Sequence, residues 1–185
     1  MRVIGLNASP NEDGLTATML SAALEGAAEA GAQAEAVHLK QHTLLACLQC
    51  ENGWGLCRRE GRCIQEDDFA ALKAQMEGAD AIVISTPVYF GEVSEVAKNF
   101  LDRLRRCAFA GPQANVLKGK PVLGIAAAGG SGGGIVSCQS ILERYFNHLG
   151  LRLFDMIPVT RLTRSYKPET ARAAGKAMVE ETRQE

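Results

Sequence analysis

The strongest constraint in this 185-residue chain is the alternation of five short apolar runs with stretches of helical periodicity. The runs are Arg2–Leu6, Gln33–Leu39, Asp80–Thr86, Pro121–Ala128 and Leu151–Val159. Between them, apolar residues recur at helical spacing: Leu15, Met19, Leu20, Ala23, Leu24 and Ala27, then Phe69, Leu72 and Met76. The clearest helix carries Val93, Val96, Ala97, Phe100, Leu101 and Leu104 on one face, with charges opposite. A fourth carries Ile135, Cys138, Ile141, Leu142 and Tyr145–Phe146 and ends at Gly150; a last begins at Lys167-Pro168 and passes into a polar tail from Glu180. Gly111-Pro112 marks a loop. Near-continuous apolar strands alternating with helices predict an α/β fold, a parallel sheet covered on both faces.

Lys40–Glu66 breaks the pattern. It has no period, holds four of the chain's six cysteines and the only Trp, and is read as an insertion after the second strand, cysteine-rich over about residues 43–66. Asp67 or Asp68 can cap the helix that follows. The length predicts one domain over 1–185.

Twenty Lys and Arg against 21 Asp and Glu leave a net charge of −1, which excludes the basic surplus of a dedicated nucleic-acid binder. No apolar run approaches the roughly 20 residues of a membrane-spanning helix. The N-terminus enters a strand at once, without the pattern of a secretory leader. The expectation is therefore a cytoplasmic protein with reduced thiols, in which clustered cysteines read as metal-binding or redox groups before disulfides.

In parallel sheets, ligands sit beyond the carboxyl ends of the strands, where strand order reverses. Three unusual loops fall at such ends. Asn7–Thr16 joins the first strand to the first helix. Unpaired N–H groups of the helix start, the polar side chains of Ser9, Asn11 and Thr16, and close approach at Gly14 make a sufficient cradle for one phosphate. Glu12 and Asp13 must then point away. The competing reading is an ordinary Ser-Pro turn with a helix cap. The second loop, Thr86-Pro87-Val88-Tyr89-Phe90-Gly91, places two aromatics after the third strand. The third, Ala128–Gly134, places five glycines after the fourth. Exposed backbone donors of this kind suit a flat, polar-edged ring such as a flavin. Alone, these loops read equally as a strand cap with core aromatics and as a flexible loop.

With these residues in view, the chain resembles the NADPH-dependent FMN reductase-like flavoproteins of the flavodoxin-like fold. The resemblance covers most of residues 1–160. It rests on Gly5-Leu6-Asn7-Ala8-Ser9-Pro10, Gly14-Leu15-Thr16, Ser85–Gly91, Lys98-Asn99-Phe100-Leu101-Asp102-Arg103 and Gly129-Gly130-Ser131. It implies a three-layer sandwich with strand order 2-1-3-4-5. Ser9, Asn11, Gly14, Leu15 and Thr16 would hold the FMN phosphate. Pro87, Val88, Tyr89, Phe90 and Gly91 would line the ring, with Gly129 and Gly130 at its far edge. The family loop usually carries Arg at the position of Asn11 and Asn at that of Leu15. The resemblance further implies a homodimer or dimer of dimers, built partly by the helix of Phe100–Arg103. It implies NAD(P)H as donor, and a quinone, nitroaromatic compound, free flavin or metal-bound species as acceptor. No side-chain acid or base is required; Tyr89 and Phe90 shape the face where substrate stacks.

Cys47, Cys50, Cys57 and Cys63 follow the spacing C-x2-C-x6-C-x5-C. Four thiolates in one short segment can wrap a tetrahedral ion or a cuboidal cluster. The loop also resembles iron–sulfur flavoproteins, whose compact cysteine motif sits at the same place, although the gap from Cys50 to Cys57 is longer here. Four outcomes stand side by side: a [4Fe–4S] cluster, zinc, an empty reduced loop making dimer contacts, or a disulfide such as Cys47–Cys50 or Cys57–Cys63 formed in air. With a cluster, the chain reads as an electron carrier between redox-protein partners. Arg58, Arg59 and Arg62 would offset the charge of a thiolate site. Cys107 and Cys138 read as small core residues, and Arg105 and Arg106 as a solvated face. His42 lies near the cysteines. Arg161, Arg164, Tyr166 and Lys167, after the fifth strand, could meet the phosphate of a nicotinamide cofactor.

Overall fold

A computed structural model of the chain describes residues 1–110 and 115–184; the Gly111-Pro112 break lies outside them. The elements run β1 (Arg2–Asn7), α1 (Leu15–Glu29), β2 (Gln33–His38), α2 (Leu56–Arg59), α3 (Phe69–Glu77), β3 (Ala81–Pro87), α4 (Glu95–Cys107), β4 (Pro121–Ala128), α5 (Ile135–Leu149), β5 (Arg152–Thr160) and α6 (Lys167–Thr182). The five strands form one parallel sheet in the order β2-β1-β3-β4-β5. Chain direction across the sheet reverses between β1 and β3, so the loops after these two strands open side by side.

Successive residues of a strand feed opposite faces. Val3, Ala81, Val83, Leu123 and Ile125 pack under α1 and α6, and Ile4, Leu6, Ile82, Ile84 and Val122 under α3, α4 and α5. β3 and β4 are central and buried on both faces, whereas β2 and β5 are half-exposed edges. The two helices of the first face lie backbone against backbone: a Cβ on Gly26 would strike the carbonyl of Arg172, and one on Gly175 the carbonyl of Ala23.

The helix of the third crossover begins at Glu95, with Ser94 as its N-cap, two residues beyond the start that its apolar face implies. Val93 is buried outside the helix. Asp68 holds the cap position of α3 without capping it; its Oδ2 accepts Thr43 N–H at 2.7 Å, while Asp67 Oδ1 accepts Phe69 N–H at 3.2 Å. Apart from short helical turns such as α2, the insertion after β2 is ordered by such bonds. Among the described residues, no helix is long and apolar enough to cross a membrane.

Candidate functional site

The three loops meet at one edge of the sheet. The loop after β1 is shaped by Asn7, a buried residue whose Oδ1 accepts Ser9 N–H at 3.0 Å and whose Nδ2 lies 3.0 Å from His38 Nδ1. Ser9 Oγ in turn accepts Asn11 N–H at 3.0 Å. Gly14 leads into α1 with no side-chain cap and no acidic residue in the first turn. The N–H groups of that turn therefore remain available to an anion. Glu12 is drawn aside by Gln41, whose Nε2 donates to its Oε1 at 2.9 Å. Thr16 is buried, and Leu15 packs partly into the core, offering backbone but no side-chain donor.

Ser94 ties this loop to the next. Its Oγ donates to Ala8 O at 2.7 Å and accepts Ala97 N–H at 3.3 Å, and its own N–H donates to Thr86 Oγ1 at 3.1 Å. Ser85 Oγ donates to Thr16 O at 2.9 Å, locking β3 to the start of α1. Asn7, Ser85, Thr86 and Ser94 are buried polar groups that motif reasoning did not single out as the frame of the site. A Ser followed by Glu95 at a helix start was the available signal.

The loop after β3 leaves the sheet at Pro87, and Val88 N–H donates to Ala127 O at 2.9 Å. Tyr89 and Glu92 exchange two backbone hydrogen bonds around Phe90 and Gly91. Neither aromatic joins the core: Tyr89 is partly exposed, and Phe90 is fully exposed in the left-handed region at φ 52°. Holding a non-glycine residue there costs roughly 1–2 kcal/mol. Gly91 lies against Gly134 of the third loop, where a Cβ would come 2.7 Å from the Gly91 Cα. Gly132 N–H closes a turn on Gly129 O at 3.0 Å, and an added Cβ on Gly129 or Gly130 would meet nothing within 4 Å. The rim is thus an open, side-chain-poor shelf between an uncapped helix start and two exposed aromatics. That shape and donor set fit a phosphorylated planar ring such as FMN. Ser9, Asn11 and Gly14 lie in the loop after β1, Leu15 and Thr16 in the first turn of α1, Pro87 to Gly91 at the end of β3 and in the loop after it, and Gly129 and Gly130 in the loop after β4. Thr160, at the end of β5, lies against Gly132; Arg161 and Arg164 follow it and are exposed.

The cysteine insertion lies against the other end of α4. Cys47, Cys50, Cys57 and Cys63 line one pocket of about 20 Å³ with Leu48, Leu56, Ile64 and Arg106. All six cysteines are free thiols. Among the described residues, no three His, Cys, Asp or Glu side chains stand at metal-ligand separations. The donor set fits a thiolate centre, and the pocket has room for one ion or water (at least about 10–15 Å³ is needed). Gln49, Glu51 and Asn52 lie in the left-handed region just before Gly53 at φ 90°. Glu51 and Asn52 of that strained run fall in the long gap between Cys50 and Cys57.

Arg103 and Arg106 bind this loop to α4. Arg106 Nη2 donates to Gly53 O, so Arg106 is not the solvated charge that its helical position implies. Arg103 is buried: Nη1 and Nη2 donate to Asp67 at 2.5 and 2.8 Å, and Nη1 also to Leu45 O at 3.1 Å. Its guanidinium lies 4.3 Å from the Phe69 ring centroid. Burial would raise the Asp67 carboxyl, but bonds from Arg103 and from the N–H groups of Leu45 and Phe69 outweigh it and hold it below its usual range. Behind the pocket, burial pushes the Cys107 thiol up to about 12, and on α5 burial pushes Cys138 up to about 12 as well, which suits inert core residues. His42 faces Asp68, with Nδ1 3.7 Å from Oδ2.

A family model described as NADPH-dependent FMN reductase matches residues 1–160. An iron-sulfur flavoprotein of Methanocaldococcus jannaschii is 34% identical over 130 residues, 70% of this chain and 65% of that protein. A second from the same organism is 31% identical over 159 residues, 86% of this chain and 75% of the relative. Matches to two iron-sulfur flavoproteins of Archaeoglobus fulgidus span only 46% and 49% of those proteins. Among solved structures, an NAD(P)H:quinone oxidoreductase from Methanothermobacter marburgensis superposes with a TM-score of 0.79 at 21% identity, covering 96% of both chains. It shares the fold.

Proposed function

This chain belongs to the NADPH-dependent FMN reductase family, and we propose from that premise that it is an FMN-dependent NAD(P)H oxidoreductase delivering electrons to a small-molecule acceptor. The observation that carries this reading is the junction of three loops on one rim: Ser94 fastens the phosphate loop to the ring loop, and Gly91 meets Gly134. FMN, when bound, supplies a ring that takes a hydride from NAD(P)H and passes its electrons on. The first turn of α1 and Asn11 bind its phosphate. The backbone of the loops after β3 and β4 orients the ring. Phe90 and Tyr89 bound the face on which the nicotinamide or acceptor stacks, and Arg161 and Arg164 lie where a dinucleotide phosphate would emerge.

A second reading is favoured by the convergence of four cysteines on one pocket and by relatives that carry the name iron-sulfur flavoprotein. Here the cysteines hold a [4Fe–4S] cluster, and the protein carries electrons between redox-protein partners. α4 runs from Ser94 at the flavin rim to Arg103 at the cysteine loop, roughly 14 Å at about 1.5 Å rise per residue. The two sites are thus held at a fixed spacing by one helix.

Anaerobic purification followed by a visible spectrum and assays of FMN, iron, sulfide and zinc tests both. FMN with steady NAD(P)H turnover supports the first reading. FMN with iron and sulfide, reduction by ferredoxin and no NAD(P)H turnover supports the second. A colourless protein that takes up no added FMN overturns both.

A further inference from the structure

Arg103 heads the fully buried side chains by volume. Two of its three nitrogens are occupied by Asp67 and Leu45. The third, Nε, is buried with no hydrogen-bond partner. An orphaned donor on a buried cation is costly, because the group gives up water and receives nothing in return. A bidentate pair with Asp67 needs only the Nη atoms, so the pair does not account for the Nε–H.

The neighbouring group that could use it is Cys63. It precedes Asp67 by four residues and lines the pocket shared by all four cysteines. Burial alone would make the Arg103 guanidinium easier to deprotonate, but Asp67 and Cys63 beside it outweigh that and hold its proton more firmly than usual. A neutral thiol sulfur is a weak acceptor, whereas an anionic thiolate makes a charge-assisted bond. The spare donor therefore matches Cys63 as a metal-bound thiolate better than Cys63 as a free thiol.

We propose that Arg103 is a positioning and tuning residue of the cysteine centre, its buried Nε–H reserved for the Cys63 thiolate while Asp67 fixes the guanidinium. The inference rests on the reading that the cysteines hold a metal centre. Hydrogen bonds and positive charge at a cluster sulfur favour the reduced, more negative state. Arg103 therefore raises the centre's reduction potential, and its placement on α4 keeps the Cys63 ligand in register with the flavin rim.

The test uses the anaerobically purified holoprotein, with FMN, iron and sulfide quantified and the centre's midpoint potential measured by redox titration. Arg103→Gln combined with Asp67→Asn replaces the ion pair by a neutral pair and removes the charged donor. It should keep FMN at wild-type occupancy while stabilisation of the reduced centre falls about tenfold, ~59 mV for one electron. Asp67→Asn alone keeps the guanidinium and removes a negative charge, so the potential should not fall. If the double variant does not fold, Arg103→Lys supplies the test: it keeps a charge against Asp67 but removes the guanidinium Nε–H, so the potential should still fall. If the centre takes zinc, cobalt(II) substitution supplies the readout, and the thiolate-to-cobalt absorption band should shift in the Arg103 variants only. An unmoved potential or band, or an equal fall in potential in Asp67→Asn, overturns the role of Arg103. A wild-type protein that takes up no iron or zinc overturns the metal centre itself, and this inference with it.

Discussion

Arg103 on α4 and Asp67 at the head of α3 form a doubly hydrogen-bonded ion pair with both side chains only 1% exposed. It joins the cysteine insertion to the helix whose N-cap, Ser94, ties the loops after β1 and β3 together. Removing one partner of a buried pair leaves an uncompensated charge, at a cost of about 3–5 kcal/mol. Arg103→Ala should accordingly lower the Tm by roughly 10 °C, at about 2–4 °C per kcal/mol for a domain of this size. Differential scanning calorimetry of the two proteins measures it.

The same pair sets a pH dependence. The Asp67 carboxyl is held below its ordinary value in the folded state, so it binds a proton more readily when unfolded. Its contribution is complete above the unfolded value, about 3.9, and is lost as pH falls below that towards the folded value. Urea unfolding between pH 6 and pH 2.5 should show wild-type stability declining below about pH 4. Asp67→Asn should start lower and decline less steeply. An equally steep acid decline in both would place the effect on other carboxylates.

Much of this was legible in the sequence because the physics behind it is local. The five apolar runs, the helix faces and the Gly-rich crossovers each follow from periodicity and turn chemistry, and the strand order from the family resemblance. The frame of the site was not legible, because its parts act across long separations: Ser94 on Ala8, Ser85 on Thr16, Arg103 on Asp67. A buried Ser is indistinguishable in sequence from an exposed one until the sheet brings its acceptor near. Arg106 was misread for the same reason, since its partner, Gly53 O, belongs to the aperiodic insertion. Phe90 was read as a ring-facing aromatic, with a core position as the competing reading; a left-handed turn between Tyr89 and Glu92 turns it out to solvent and removes the core reading.

Gly26 and Gly175 allow α1 and α6 to touch without side chains between them. Gly26→Ala places a methyl against the Arg172 carbonyl, and backbone cannot give way as a side chain can. Overpacking of this kind costs about 1–3 kcal/mol. The urea midpoint should fall with an unchanged m-value, and FMN binding to the folded protein should persist, since the contact lies away from the carboxyl rim.

The phosphate end of the site should respond to donors in the loop after β1. Ser9→Ala removes the acceptor of Asn11 N–H and loosens the turn; a lost hydrogen bond of about 1 kcal/mol corresponds to roughly fivefold weaker FMN binding. Asn11→Arg adds a charged donor beside an uncapped helix start, and should tighten binding by a similar or greater factor, with a salt dependence the wild type lacks. Quenching of FMN fluorescence gives both constants. An Asn11→Arg protein that binds FMN no better would show that this side chain does not face the phosphate.

Gly134→Ala tests the junction of the ring loops directly. Position 134 sits at φ 79°, and its new Cβ would come 2.7 Å from Gly91 Cα and 2.8 Å from Gly91 N. The methyl can be housed only by parting the two loops, which widens the shelf on which the ring rests. The strands beneath are held by their own ladder, so the apo-protein should keep most of its stability. What should fall is the stabilisation added by ligand: FMN at 100 times its Kd contributes about 2.7 kcal/mol to the wild type. At the same FMN concentration the variant should gain markedly less. Equal gains in Tm for both proteins would mean that ring binding does not depend on the contact between Gly91 and Gly134.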